Sequence, residues 1–507
     1  MTLLAEPTTG GIVDGARLSG ERRVRADVVV VGSGAGGAPV AKALAEAGKR
    51  VVVVEDGAYF PTERLNARPR DMTALLYRDG GQVATVGTPA IMLPTGRAVG
   101  GTTLVNSGTC FRVPARIEQR WADELGIEDL GLDPLYTQVE REIGVRRVTP
   151  QLAGANARIA RRGAEALGWS GRFLDRNAVG CQGSGVCAFG CPTGAKQHAG
   201  EVYMNAAHAA GAITYTNSRV VRIDMDDNAT AARGITARTL GGGTLVVTAG
   251  ETVVAAGTLH TPLLLAASGL NRSEHLGCHL SIHPATAAWA IMDEVVDMAH
   301  GVPQSYGVDE FATEGFMLEG IAGPPDYLAM TVPYSGARHR ELMLDYRHVA
   351  QFGLMIEDTS RGHIPLGRIA RAASPGRPIV RYDLNAQDVG TIRNGVARLA
   401  ELLFAAGAKR VILPLARLPE LDSSDALPRL RAHDARAADL KLMAFHPLGT
   451  ARMAASASEG VTAPDHRVHG TSNLHISDGS AVPTALGVNP QLTIMAFATR
   501  LATRLLA

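Results

Sequence analysis

Residues 27–55 read DVVVVGSGAGGAPVAKALAEAGKRVVVVE. A fully apolar run, Val28 to Val31, meets a glycine-rich turn. An alanine-rich segment follows, and a second apolar run, Val51 to Val54, ends on Glu55. This order predicts strand, turn, helix and strand, the repeating unit of a parallel sheet. The glycines fall at Gly32, Gly34 and Gly37, a G-x-G-x-x-G spacing that gains meaning from following a strand, opening a helix and preceding an acidic residue at the next strand's end. Gly32 permits the tight turn, Gly34 lets backbone approach a pyrophosphate, and Gly37 lets the helix pack against the strand, with the helix N-terminus facing the anion. Glu55 is placed to take ribose hydroxyls. The pattern predicts a bound dinucleotide and leaves NAD and FAD both open.

A second glycine-rich stretch, GRAVGGTTLVNSGT at 96–109, sets Gly100, Gly101, Thr102 and Thr103 before Asn106. Paired glycines followed by hydroxyls present several N–H groups and short donors to a diphosphate or to a flavin ring edge. A simple NAD domain needs no such second loop. The chain closes with FHPLGTARM at 445–453 and NLHISDGSAVPTALGVNPQLTIMAFATRLATRLL at 473–506. Asn489 followed by Pro490 predicts a helix start, with Asn at the cap and Pro first in the helix. The positive end of that helix suits a developing anion such as a reduced flavin.

With TVVAAGTLHTPLLLAASG at 252–269 and LGCHLSIHP at 276–284, these blocks occur in an order that resembles the glucose–methanol–choline (GMC) oxidoreductase family, flavoenzymes that oxidise alcohols. The resemblance spans nearly the whole chain. It implies FAD held by Gly32, Gly34, Gly37, Glu55, Gly100, Gly101, Thr102 and Asn106, with the Val221 backbone at the adenine and Asp478 and Gly479 at the flavin. It also implies His446 as the catalytic histidine and Asn489 at the second catalytic position. A His with an ordinary pKa of about 6.5 can take a hydroxyl proton near neutrality. Asn489 cannot act as a base, but its amide can orient the substrate oxygen and stabilise alkoxide charge. Members with covalent flavin carry a His in the loop around 96–110; none is present, which implies non-covalent FAD.

The fold class expected is α/β: a Rossmann-like FAD-binding domain joined to a second, α+β substrate domain built on an antiparallel sheet. The first comprises residues 20–125, 200–285 and 440–507; the second comprises 126–199 and 286–439; residues 1–19 are read as an N-terminal arm. QFGLMIED at 351–358 and PIVRYDL at 378–384 predict strands of the antiparallel sheet, and DVGTIRNGVARLAELLFAAGA at 388–408 predicts an amphipathic helix. Met317, Leu318, Tyr327, Met330, Phe352 and Met355 fall on this ceiling as core or pocket residues. No cluster of Asp, Arg and Gln marks a sugar site, so an apolar, aromatic or medium-to-long-chain alcohol is favoured. GCQGSGVCAFGCPTGAK at 180–196 and GVPQSYGVDEF at 301–311 are similar to the long-chain alcohol oxidase branch. Two alternatives stay open: an FAD dehydrogenase of sugars or polyols passing electrons through an iron–sulfur cluster to a partner, and a flavin-containing lyase. The electron acceptor is O2, a quinone or a protein.

The 507 residues are 46% hydrophobic, with 50 basic and 49 acidic side chains. Balanced charge without basic runs interleaved by aromatics argues against a nucleic-acid partner. No stretch reaches about 18 apolar residues, and the first fifteen lack a basic and then apolar leader, so neither a membrane span nor export is expected. Five cysteines in so long a chain point to the reducing cytoplasm. Three of them, Cys181, Cys187 and Cys191, follow C-x5-C-x3-C. They leave several readings open: reduced structural thiols, a [3Fe-4S] cluster like that implied by similar triplets in multi-subunit FAD sugar dehydrogenases, a disulfide, or zinc with His198. His279 and His283, beside Cys278, are read as packing residues rather than ligands. The sequence sets no oligomeric state.

Overall fold

Val28–Val31 pair in parallel with Val51–Val54, and both runs are buried, as a strand covered on two faces requires. Between them the helix Ala38–Glu46 buries Ala38, Val40, Ala41, Leu44 and Ala45 against the sheet. The computed structural model describes residues 11–369, 374 and 376–507. Among these, eight strands form the nucleotide-side sheet, in the order Gly11–Asp14, Ile213–Thr216, Val51–Val54, Glu21–Val31, Thr244–Val254, Ala232–Thr239 and Ser218–Met225, with Leu474–Ile476 also pairing Thr244–Val254. The pairs around the glycine turn are parallel; Ser218–Met225, Ala232–Thr239 and Thr244–Val254 form an antiparallel meander.

A second sheet of seven strands is antiparallel at every pairing. Its order is Glu420–Leu421, Arg410–Ile412, Ala285–Ile291, Val349–Ile356, Phe316–Gly320, Tyr306–Val308 and Gly171–Phe173. The helix Ala386–Ala405 packs on it through Ile392, Val396, Leu399 and Leu403 and opens on Asn385, whose side chain accepts the Asp388 N–H. The largest apolar core lies between this sheet, that helix and Gly154–Leu167.

The structure departs from the sequence reading at four places. Residues 11–14, read as part of an arm, are an edge strand on Ile213–Thr216; a four-residue strand is too short to show a period, and partner pairing creates it. Residues 1–10 lie outside the described residues. The helix Leu132–Glu142, placed with the substrate domain, buries Leu132, Tyr136 and Val139 in the nucleotide-side core with the C-terminal helix. In PIVRYDL only Val380–Arg381 is strand, and it pairs in parallel with Thr85–Val86 outside the seven-stranded sheet. The C-terminal helix runs Gln491–Leu506, with Pro490 at its cap, one residue later than Asn489 and Pro490 predict.

Candidate active site

Between the two sheets lies a cavity of about 980 Å³ walled by both. On the nucleotide side its lining includes Gly32, Gly34, Glu55, Gly101, Thr102, Asn106, Val221, Asp478 and Gly479. Gly37 and Gly100 stand behind this wall: Gly37 caps the helix Ala38–Glu46 with no room for a Cβ against the Gly32 carbonyl, and the Gly100 N–H donates to Ser33 Oγ at 3.2 Å. Gly32 has φ +100°, where L side chains are strained, and a Cβ there would collide with the Ala255 carbonyl. The Cα atoms of Gly34 and Gly101 face each other across the cavity wall, so two loops expose backbone where side chains would fill the space.

Glu55 is buried and accepts from Ser33 N at 3.0 Å, Ser33 Oγ at 2.7 Å and Gly57 N at 2.7 Å. Burial pushes its carboxyl above the usual range against the pull of those donors. Asp478 is likewise pinned, by Gly257 N at 2.8 Å, Thr261 Oγ1 at 2.6 Å and Ser480 N at 2.8 Å. Asn106 donates to Gln491 Oε1 and accepts from Gly108 N at 3.1 Å, tying the second glycine loop to the start of the C-terminal helix. The two close glycine loops, the adjacent helix N-terminus and the acidic residue at the strand end fit a dinucleotide of FAD's form.

Ser281 and Leu448 exchange backbone hydrogen bonds, 3.2 and 2.9 Å, and this pairing carries His283 to His446 from 163 positions away. His446 and Asn489 share the cavity wall, with Asn489 Nδ2 3.3 Å from His446 Nε2. His283 is fully buried behind them with its Nδ1 3.3 Å from His446 Nδ1, the rings meeting at 74°. It sits at φ +50°, and Asp358 stabilises that backbone by accepting from Ile282 N at 3.0 Å and His283 N at 3.1 Å. His283 Nε2 accepts Leu486 N at 2.9 Å and Gly487 N at 3.3 Å, which fixes the neutral tautomer with its proton on Nδ1. Met355 Sδ lies 3.1 Å from His446 Nδ1. His446 Nε2 is the ring nitrogen that faces Asn489 and the cavity. Burial, and secondarily His283, hold His446 well below the ordinary histidine range, so it is uncharged at neutral pH. Burial also draws His283 down to about 4.

On the opposite wall Glu319 lines the cavity, 9% exposed, with Oε2 unpartnered. In the sheet register it lies between Gly307 and Gly353, so neither neighbouring strand puts a side chain beside it. Burial pushes its carboxyl up to about 8 against the opposing pull of the Asn489 and Gln304 amides. Gln304 in turn accepts from Thr109 Oγ1 at 2.6 Å. Tyr327, Met330 and Met355 line the same cavity; Leu318 and Phe352 turn into the core, and Met317 is buried off the lining. Met330 is 62% exposed, at the rim.

Two residues at the candidate site escape the sequence reading. His283 is read there as packing, and only the strand pairing reveals it behind His446. Glu319 is unremarked in FMLEG, where a single acid after three apolar residues reads as a strand end. Cys181, Cys187 and Cys191 line a separate pocket of about 10 Å³, and among the described residues no three His, Cys, Asp or Glu side chains come together to hold a metal. Two cations stand beside Cys187: Arg176 Nη2 donates to its Sγ at 3.2 Å and Lys196 Nζ to its carbonyl at 2.8 Å. The described residues give no support to the [3Fe-4S] and zinc alternatives. The described cysteines are also unbridged.

Models of known families match most of the chain. Two described as GMC oxidoreductase match residues 73–285 and 358–498, and one described as FAD binding domain matches residues 27–64. An uncharacterized GMC-type oxidoreductase of Mycobacterium tuberculosis is 40% identical over 499 residues, covering 95% of this chain and 76% of its own. Long-chain-alcohol oxidase FAO4B of Arabidopsis thaliana is 28% identical, covering 94% of this chain and 66% of its own. A solved formate oxidase superposes with a TM-score of 0.73 at 16% identity over 96% of this chain and 98% of that one, a likeness of fold. Among the described residues no helix is long and apolar enough to cross a membrane.

Proposed function

The chain belongs to the GMC oxidoreductase family of FAD flavoproteins, and we propose that it oxidises the hydroxyl group of a largely apolar small molecule to a carbonyl, with His446 as proton acceptor and Asn489 as the group that holds the oxygen. FAD, when bound, supplies the hydride acceptor. Gly32, Gly34, Glu55, Gly101, Thr102, Asn106, Val221, Asp478 and Gly479 would hold it without a covalent bond, with Gly37 and Gly100 shaping the loops from behind.

The observation that carries this reading is the His446–Asn489 pair on the wall of the cavity, 3.3 Å apart, with the imidazole uncharged. Uncharged His446 accepts the hydroxyl proton at Nε2, the ring nitrogen that faces Asn489 and the cavity. Asn489 donates an amide hydrogen to the same oxygen, which orients the carbinol and offsets alkoxide charge as the proton leaves. His283, bound by two backbone donors, holds the ring plane of His446 from behind. Met355, Tyr327 and Met330 favour an apolar substrate body, and Glu319 with Gln304 offers one polar anchor in that wall. The 28% identity to a long-chain-alcohol oxidase supports the same substrate class.

The test is His446→Ala in the flavin-loaded protein. Turnover of medium- and long-chain alcohols falls by about 10² to 10⁴ while the flavin-to-protein absorbance ratio stays that of the parent. Unchanged turnover removes the base assignment. Running the parent with O2 and then with a quinone acceptor separates oxidase from dehydrogenase.

A further inference from the structure

Behind the second glycine loop, two cations are buried without an acidic partner. Lys196 and Arg176 are each 2% exposed. Lys196 Nζ donates to the Asn106 and Cys187 carbonyls, both at 2.8 Å. Arg176 donates to the Ser107 carbonyl, with Nε at 2.8 Å, and to Cys187 Sγ at 3.2 Å. Among the described residues no carboxylate bridges either side chain. Hydrogen bonds to neutral carbonyls offset only part of the cost of taking two positive charges out of water. A negative charge held against the same loop offsets more of it.

The direction in which these cations pull decides what the loop shows to the cavity. Asn106, Ser107 and Gly108 line that cavity. Their three carbonyls are taken by Lys196, by Arg176 and by the Asn177 N–H at 3.0 Å, none of which belongs to the lining. In a trans peptide the N–H points opposite to the carbonyl, so a carbonyl held behind the wall turns the next residue's N–H toward the front. Asn106 Oδ1 accepts the Gly108 N–H at 3.1 Å. The Ser107 N–H has no acceptor among the described residues. This part of the wall therefore presents a free N–H with two positive charges behind it, an arrangement that draws an anion. His446 supplies no charge of that sign, because burial keeps it neutral.

We propose that Lys196 and Arg176 are positioning residues for reduction of the cofactor. Acting through the Asn106–Gly108 backbone, they favour the flavin when it carries negative charge, as it does once hydride has been accepted, and so raise the potential at which it is reduced. The proposal rests on the FAD reading of the cavity and does not depend on which substrate delivers the hydride.

The experiment is titration of the intact, flavin-loaded protein with sulfite at pH 7, with the flavin midpoint potential measured on the same samples. Sulfite adds to the oxidised flavin through its sulfur lone pair, forming one S–N bond and expelling nothing. The electron pair leaves the ring negatively charged, so the sulfite Kd reads anion stabilisation without any substrate. In the parent the adduct forms, and the bound flavin has a midpoint potential above that of free FAD. Lys196→Gln and Arg176→Gln keep an N–H donor and remove a charge; each raises the sulfite Kd about tenfold. The same factor lowers the potential of the two-electron couple by about 30 mV. Arg176→Lys keeps the charge and stays within about threefold of the parent Kd. Should the Gln variants not fold, the parent decides alone, and no adduct or a potential at or below that of free FAD overturns the proposal. Unchanged sulfite affinity in the Gln variants overturns it too. So does loss of flavin with an unchanged potential for the flavin that remains, which assigns the charges to the cofactor's diphosphate. A parent that takes up no FAD overturns the proposal together with the reading beneath it, whereas failure to oxidise any alcohol leaves every one of these results standing.

Discussion

The wall formed by Gly32–Gly36 and Gly101–Thr103 offers the cavity backbone, whereas the facing wall, Phe316–Gly320 and Val349–Ile356, offers side chains on an antiparallel sheet. The first is shaped by what is absent: a Cβ on Gly32 would strike the Ala255 carbonyl, and Gly34 lies open toward Gly101. The second is shaped by what is present, Glu319 standing between Gly307 and Gly353 with an unpartnered oxygen, near Asn489. A backbone wall grips a constant ligand through N–H groups that every substitution except proline leaves in place. A side-chain wall sets which second molecule enters, and single residues can change it. Damage to the first should therefore read out as cofactor loss, and damage to the second as altered turnover or pH behaviour with cofactor retained.

The largest effect is expected at Gly34. Gly34→Val places an isopropyl group in the space between the two glycine loops, and the purified variant should contain under about a tenth of the parent's flavin by absorbance at an otherwise native circular dichroism spectrum. Full flavin content would show that this wall is not the cofactor cradle. Next comes Asn489→Ala, on the boundary between the walls: turnover falls by about 10² to 10³, the size of losing one oxyanion donor, with flavin content unchanged. A change confined to KM would make Asn489 a binding residue alone.

The smallest effect belongs to Glu319, and it separates the walls most cleanly. Its carboxyl ionises at about 8 in the folded protein against an ordinary 4.5. Between those values the folded state keeps a proton that the unfolded state has lost, so this group's contribution to stability falls as pH rises from 4.5 to about 8. Glu319→Gln removes the group. Its melting temperature should gain on the parent's steadily across that window and run parallel to it below pH 4.5. A difference independent of pH would mean Glu319 is ionised throughout, solvated in a way its burial contradicts.

The contrast between the walls also explains what could be read from the chain alone. Gly32, Gly34, Gly37 and Glu55 are legible because a tight turn, a close approach and a strand end impose residue types at fixed short spacing. The helix after Asn489 is legible for the same reason, one residue early. His446 and Asn489 come from the resemblance rather than from spacing, since nothing local in FHPLG distinguishes a base from a packed histidine. His283 is hidden because its role depends on Ser281 pairing with Leu448, far away in the sequence. Glu319 is hidden because an acid in FMLEG acquires meaning only when the register sets glycines on both sides. The edge strand at residues 11–14 owes its existence to Ile213–Thr216, and no property of GIVD alone announces it. The cysteine triplet has ligand-like spacing, and in the fold the three line one small pocket in which Arg176 donates to Cys187 Sγ.

The central claim, a hydroxyl oxidised at His446 and Asn489 beside bound FAD, is tested most directly by mixing the flavin-loaded protein anaerobically with a panel of alcohols from short alkanols to long-chain, aromatic and sugar alcohols and following flavin absorbance. Rapid bleaching by apolar alcohols in the parent, slowed by about 10² or more in His446→Ala, is the predicted result. A flavin that no alcohol reduces in the parent, or that is reduced as fast without His446, contradicts it.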